Sequence, residues 1–363
     1  MNILIVGDWY SSLYEEAFFN SFQDLGCQVE KFSWIQYFKY YQYPTLKKDD
    51  KCKLKSVYYR AQNRLSFGPV VNRINNDLIS KVLKSNYDLI FIYRGVHIYP
   101  KTIKKLQLLG VLVFGYNNDD PFANHYPFYF WRHFKKSIPK YDHIFSYRTK
   151  NIHEYKDNGV KSTSLLRSYY LKDKNFYIAR TQKNKVIEIV FIGHFENDGR
   201  DLLILKLVNH GFNVKLYGTG WEQSSYYQKL YEYFGKIVPV YGRDYNEILN
   251  KADMSLVFLS KINNDTYTRR VFEIPITKTV MICEYNNDIA SLYSENEEII
   301  LYKDHDDCIN KISSLIDNPE YIELIKERAY QRLIRDGHEV NDRVTEIINI
   351  YNRIRSESNE IKL

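Results

Sequence analysis

Residues 187–217 read IEIVFIGHFENDGRDLLILKLVNHGFNVKLY. Ile187–Ile192 is apolar and rich in β-branched residues, which predicts a strand. A glycine-containing polar turn follows. Leu202–Asn209 then carries apolar residues at helical spacing, and Val214–Tyr217 predicts a second strand. Strand, helix and strand in this order make a βαβ unit with parallel strands.

The same alternation runs outward in both directions. Upstream, strands are expected at Ile3–Val6, Gln28–Phe32, Leu89–Tyr93, Leu112–Tyr116, His143–Tyr147 and Ser164–Leu166, with helical segments such as Glu15–Leu25 and Val71–Lys84 between them. Downstream, strands are expected at Ile237–Val240, Met254–Leu259, Thr279–Cys283 and Ile299–Leu301. Helices fit Tyr226–Phe234, Tyr245–Lys251, Asp306–Ile316 and Glu320–Arg335, with a last amphipathic helix from about Asn341 to Arg355 capped by Asn341. Residues 173–186 are polar and unpatterned and read as a linker. The expectation is an α/β protein of two Rossmann-like domains, 1–172 and 187–337, facing across a cleft where open sheets bind ligands. Residues 338–363 form a C-terminal helix and tail that packs back toward the first domain.

A chain of 363 residues suits two domains, and 44% hydrophobic with 26% charged residues is ordinary globular composition. No apolar run reaches the roughly 18 residues of a membrane span. MNILIVGDWY reads as a first strand, not a signal peptide. Cys27, Cys52, Cys283 and Cys308 have no C-x-x-C spacing and read as scattered reduced thiols, so the expected location is the cytoplasm. A net charge of +7 suits a phosphorylated ligand or an anionic membrane surface and falls short of an argument for nucleic acid. Segment 34–60, with its many Lys, Arg and aromatic residues, is either a solvated excursion with a helical tail or a loop touching acceptor or lipid.

The first βα turn, GDWYSS, is no G-x-G-x-x-G, which disfavours a dinucleotide cofactor. The nine histidines form no ligand cluster, so neither metal nor cofactor is expected. In the second half, Gly193 and His194 end a strand, and Arg200 starts a helix whose N-terminus could meet a phosphate, unless it is only a surface arginine. Gly218 and Trp221 end the next strand, the tryptophan being either a core residue or a wall for a base. In DTYTRRVFEI (265–274), Arg269, Arg270 and Glu273 stand at a helix start, where they could simply be a capping ion pair. In the first half, Asn118-Asp119-Asp120-Pro121 ends a predicted strand. Its carboxylates could serve an acceptor hydroxyl or cap a turn. Asp8, Trp9 and Arg94, each just after a strand, are expected to line the same region.

Together these residues resemble a known family. Arg270, Phe272, Glu273 and Ile274, then Val280–Cys283, then Glu284-Tyr285-Asn286, are similar to the R-x-F-E-I turn, buried strand and acidic-aromatic turn of the spore-maturation (CgeB-like) group of GT-B glycosyltransferases. YNNDDPF (116–122), WRHF (131–134), the 142–151 run, His338 and Arg343 fit the same group. The resemblance implies a metal-independent enzyme that moves a sugar from a nucleotide-diphosphate donor to a bacterial glycan or lipid-linked glycan, in the cytoplasm or at the inner membrane. It implies that Asp265 meets the donor sugar, Glu273 the ribose, and Arg269 or Arg270 the diphosphate. Asp265 stands where retaining relatives usually have glutamate, and Thr277-Lys278-Thr279 where they have small residues and glycine. A nucleotide-sugar epimerase, or a non-catalytic nucleotide- or glycan-binding protein, is the alternative on the same architecture.

Overall fold

Among the described residues, eleven strands form two parallel sheets. The structure, a computed structural model, describes the backbone of residues 1–38, 50–179 and 187–360. Parts of the 34–60 segment (39–49) and of the linker (180–186) therefore lie outside the described residues, as does the Cys52 side chain.

The first unit comprises Met1–Arg167 together with the C-terminal helix. Its sheet runs β2-β1-β3-β4-β5-β6, all parallel. The strands are β1 (Asn2–Gly7), β2 (Gln28–Ser33), β3 (Leu89–Tyr93), β4 (Leu112–Asn117), β5 (His143–Ser146) and β6 (Thr163–Leu165). Its helices are α1 (Glu15–Asp24), α2 (Asp50–Leu65), α3 (Pro69–Leu83), α4 (Pro100–Leu108), α5 (Arg132–Ser137) and α6 (Thr149–Asp157). Ile3–Val6 and Leu89–Ile92 are wholly buried. Helices on both faces make such strands read as unbroken apolar runs. Because β2 and β3 flank β1, the chain reverses direction across the sheet between β1 and β3. That reversal is where open α/β sheets leave a crevice at the strands' carboxyl ends.

The second unit, Ser168–Glu339, carries the order β11-β10-β9-β7-β8, again parallel. Its strands are β7 (Ile187–Ile192), β8 (Val214–Tyr217), β9 (Ala252–Val257), β10 (Val280–Glu284) and β11 (Ile300–Tyr302). The helices are α7 (Arg200–Asn209), α8 (Tyr227–Phe234), α9 (Gly242–Lys251), α10 (Arg270–Glu273), α11 (Asn287–Leu292), α12 (His305–Ile316) and α13 (Pro319–Arg335). Local chemistry sets several starts. Asp304 accepts from the Asp306 and Asp307 N–H groups at α12, and Asn318 caps α13 ahead of Pro319 at its first position. The reversal here lies between β7 and β9.

The last helix, α14 (Val340–Glu360), packs on α1 in the first unit, and Arg343 Nε donates to the Arg167 carbonyl (3.1 Å). It begins one residue before the Asn341 expected to cap it. One expected strand is absent. Ile237–Val240 is half-exposed coil whose Val238 carbonyl accepts from Gly218 N–H (3.1 Å), because Pro239 has no N–H to continue a ladder.

Candidate functional site

In the second unit, the polar residues gather where β7, β8 and β9 end. Gly193 follows β7 and Gly218 follows β8, at φ +149. A Cβ on Gly218 would lie 1.7 Å from the Gly193 carbonyl oxygen, so only glycine permits this crossing of the two chain segments. The same carbonyl accepts from Trp221 Nε1 (3.0 Å). Trp221 is 1% exposed and gives its ring to Phe191 and Phe195, so it supports the strand ends from inside the core.

Arg200, first residue of α7, is also turned inward. It forks onto Asp198 (2.8 and 2.6 Å) and donates to the His194 carbonyl (2.7 Å), thereby ordering the turn between β7 and α7. His194 itself projects from that turn with its side chain 60% exposed, and contacts Glu196 (2.8 Å).

The turn α10 brings charge to the same strand ends. Glu273 is buried, with both carboxylate oxygens held: Arg269 Nε donates to Oε1 (2.5 Å) and Tyr245 Oη to Oε2 (2.9 Å). Burial, then the Glu273 carboxylate, pushes the Tyr245 phenol well above its ordinary value, so it is a fixed donor. The Arg269 guanidinium lies 5.1 Å from the Tyr169 ring centroid. Arg270 is different. Its Nε donates to the Ile192 carbonyl at the end of β7 (2.9 Å), and Nη1 and Nη2 have no partner among the described residues. It is a cation aimed by its own anchor. Asp265 lies in the preceding loop, where it accepts from Asn263 Nδ2 (3.0 Å). Lys278 adopts the left-handed conformation (φ 53), which glycine reaches most easily, and pairs with Glu327 (2.6 Å).

The first unit assembles its polar cluster across strands. Arg94, just after β3, reaches Asp119 beyond β4 (2.8 Å) and Asp8 beyond β1 (3.7 Å). Burial opposes the Arg94 charge, yet Asp119, Tyr93 and Asp8 together hold it above the usual arginine value. Two non-glycine residues here, Trp9 (φ 59) and Arg94 (φ 53), sit in the left-handed region, a conformation that costs energy and concentrates at functional sites. Trp9 packs on Phe19 and under Lys31 (4.3 Å).

The neighbouring carboxylates divide as alternation in an extended segment requires. Asp120 is fully buried. It accepts from Phe122 N–H and Asn151 Nδ2 (both 2.9 Å) and so caps its own turn. Asp119 keeps its carboxylate on Arg94.

Glu15 is the member of this cluster that sequence reasoning missed. It opens α1, is 1% exposed, and its Oε1 accepts from the N–H groups of Asp8 (2.9 Å) and Trp9 (3.1 Å). Oε2 is buried and has no hydrogen-bond partner among the described residues. Burial first, then the Asp8 charge, pushes the Glu15 carboxyl up to about 7. Protonated, Oε2 becomes a donor toward Asp8. The only signal in the sequence was an acid at the first turn of a helix, which ordinarily means nothing more than dipole pairing.

Residues 200–349 match a family model described as glycosyl transferase-like. No curated protein matches the chain by sequence. Among solved structures, sucrose-phosphate synthase from Thermosynechococcus elongatus is similar at TM-score 0.68 and 10% identity, covering 98% of this chain and 100% of that one. HepE from Anabaena, in complex with UDP and glucose, aligns at TM-score 0.64 and 10% identity over 97% and 100%. A glycosyltransferase from Rickettsia africae aligns at TM-score 0.68 and 12% identity over 97% and 98%. No described helix is long and apolar enough to cross a membrane. The chain thus joins a glycosyl transferase-like domain to the two-domain fold of GT-B glycosyltransferases, which supports an enzyme of that class.

Proposed function

We propose that this chain transfers a sugar from a nucleotide-diphosphate donor to a hydroxyl of a bacterial surface glycan, as a member of the spore-maturation-like group. The observation that carries the reading is Arg270, anchored through Nε at the end of β7 with two terminal nitrogens left for a ligand, inside the glycosyl transferase-like domain. In transfer, the acceptor oxygen bonds the anomeric carbon while the bond from that carbon to the diphosphate breaks. Arg270 neutralises charge on the departing diphosphate. Glu273 accepts from ribose hydroxyls, exchanging one of its present partners for them, and Asp265 meets the donor sugar. Gly193 and His194 let the donor approach the strand ends closely. In the first unit Asp119 receives the acceptor proton, and Arg94 orients it. The complex of HepE with UDP and glucose favours a uridine nucleotide as the first donor to try. The reaction takes place in the cytoplasm, with peripheral contact at the inner membrane.

The test incubates the protein with a panel of nucleotide-sugars and measures release of nucleoside diphosphate with and without glycan acceptors. A transferase needs the acceptor for full rate. Free epimer formed without acceptor would make it an epimerase, and stabilisation by nucleotide without donor consumption would make it a binding module. Transfer is expected to survive excess chelator, since Arg270 supplies the positive charge. Loss with chelator and recovery with magnesium or manganese would recast Asp119 and Asp120 as metal ligands.

A further inference from the structure

Two stretches of the first unit expose large apolar side chains side by side. The turn between α2 and α3 presents Leu65 and Phe67, with Val57 two turns earlier on α2, and the loop between β4 and α5 presents Phe128. Phe128 is 92% exposed and Phe67 66%. The two stretches are tied together. Arg64 Nε donates to the Tyr129 hydroxyl (3.1 Å), and Arg132 Nη2 donates to the Leu65 and Ser66 carbonyls (2.6 and 3.2 Å). The Arg132 guanidinium lies 5.8 Å from the Phe67 ring centroid, and the Phe128 ring meets Tyr129 edge-on at 5.5 Å. They make one continuous face. Soluble proteins scatter exposed apolar residues singly, and a contiguous group of them marks a contact surface.

The charge of this face has one sign. Neither residues 51–76 nor residues 121–141 contain an aspartate or a glutamate. Arg64 and Arg132 spend the bonds just named on a phenol and on carbonyls, and neither meets a carboxylate among the described residues. Lys136, exposed and one helical turn beyond Arg132 on α5, adds a third charge on that side. Aromatic tips ringed by cations match an anionic bilayer. Rings of this kind enter the boundary between headgroups and acyl chains, and each cation near an anionic surface strengthens binding about fivefold.

The face also adjoins the polar cluster of the first unit. Val57, Arg64, Leu65 and Tyr129 line a cavity whose wall includes Arg94, the residue that holds Asp119. We propose that this face docks the protein on an anionic lipid surface, with Phe67 and Phe128 entering the headgroup boundary and Arg64, Arg132 and Lys136 meeting lipid phosphates. The inference rests on the glycosyltransferase reading for its use, since an acceptor carried on a lipid would then arrive beside Arg94 and Asp119.

The test is co-sedimentation of the full chain with vesicles of phosphatidylcholine alone and of phosphatidylcholine mixed with phosphatidylglycerol. The anionic vesicles should bind about a hundredfold more tightly at low salt, the product of three cations, and the preference should shrink as salt rises. Phe128→Ser removes a solvent-exposed ring and should weaken that binding about tenfold while the variant melts normally. Lys136→Gln asks the same of the charge and should weaken it about fivefold. Equal binding to both vesicle types, no binding to either, or undiminished binding by a folded Phe128→Ser protein would overturn the inference. Self-association without lipid that Phe128→Ser abolishes, together with no vesicle binding, would make the face an interface between copies of the chain instead. A parallel titration with UDP, GDP and dTDP keeps the two ideas apart. Nucleotide binding without vesicle binding removes only the docking face, whereas vesicle binding without any nucleotide binding removes the transferase reading and leaves the docking face.

Discussion

Both units bring charge to the carboxyl ends of parallel strands, and they do so by opposite routes. In the second unit the pairs are local: Arg269 with Glu273 across one helical turn, Arg200 with Asp198 across a tight turn. In the first unit Asp8, Arg94 and Asp119 come from three different strands and meet only because β1, β3 and β4 are neighbours. A local pair is set by the turn that carries it. A converged cluster is set by the whole sheet, so changing one member alters the surroundings of the other two, and single substitutions there should not add.

The largest effect should come from the converged cluster. Asp119→Asn is expected to lower turnover about 10²–10⁴-fold with donor binding unchanged, the loss of a general base. Asp120→Asn should leave turnover closer to normal and lower the melting temperature, since its carboxylate caps the turn at Phe122. Kinetics and thermal melts on the two variants check the division. Normal turnover in Asp119→Asn would move the acceptor base elsewhere, with Asp8 next to test.

A smaller effect should come from the local side. Gly218→Ala places a methyl 1.7 Å from the Gly193 carbonyl and should cost about 3 kcal/mol or more in urea unfolding. Stability like that of the unmodified chain would mean that the two strand ends part easily and that the crossing is no constraint.

The third effect is a pH dependence confined to the first unit. Above pH 4.5 an unfolded chain gives up the Glu15 proton, while the folded chain keeps it to about pH 7. The folded state therefore binds more protons in that window, and stability falls as pH rises through it, by roughly 2–3 kcal/mol. Glu15→Gln keeps the acceptor for the Asp8 and Trp9 N–H groups and carries a permanent donor toward Asp8. It should flatten the slope and be the more stable form at pH 8. An unchanged slope in that variant would assign the pH dependence to another group.

What the sequence makes legible follows the same contrast. Leu89–Tyr93 was readable to the residue because a strand buried on both faces is apolar throughout. Arg269 and Glu273 were readable because i,i+4 partners are visible in a linear pattern. The separation of Asp119 from Asp120 follows from a different local rule, the alternation of successive side chains in an extended segment. Ile237–Val240 misled because its apolar residues look like a strand, while Pro239 decides the matter. The bond from Arg94 to Asp119 could not be seen, since nothing local says that β3 neighbours β4. Glu15 was invisible for a deeper reason: its burial beside Asp8 is made by the sheet and α1 together. Trp221 and Arg200 were both readable as polar or aromatic residues near strand ends, yet only packing turns them inward.

The central claim is that Arg270 holds the diphosphate of a nucleotide-sugar, and calorimetric titration of UDP, GDP and dTDP tests it most directly. One of the three should bind saturably to the unmodified chain, with Arg270→Ala weakening it about tenfold or more while the variant melts normally, the loss of charge-assisted hydrogen bonds to an anion. No binding of any nucleotide, or undiminished binding to a folded Arg270→Ala protein, would contradict it.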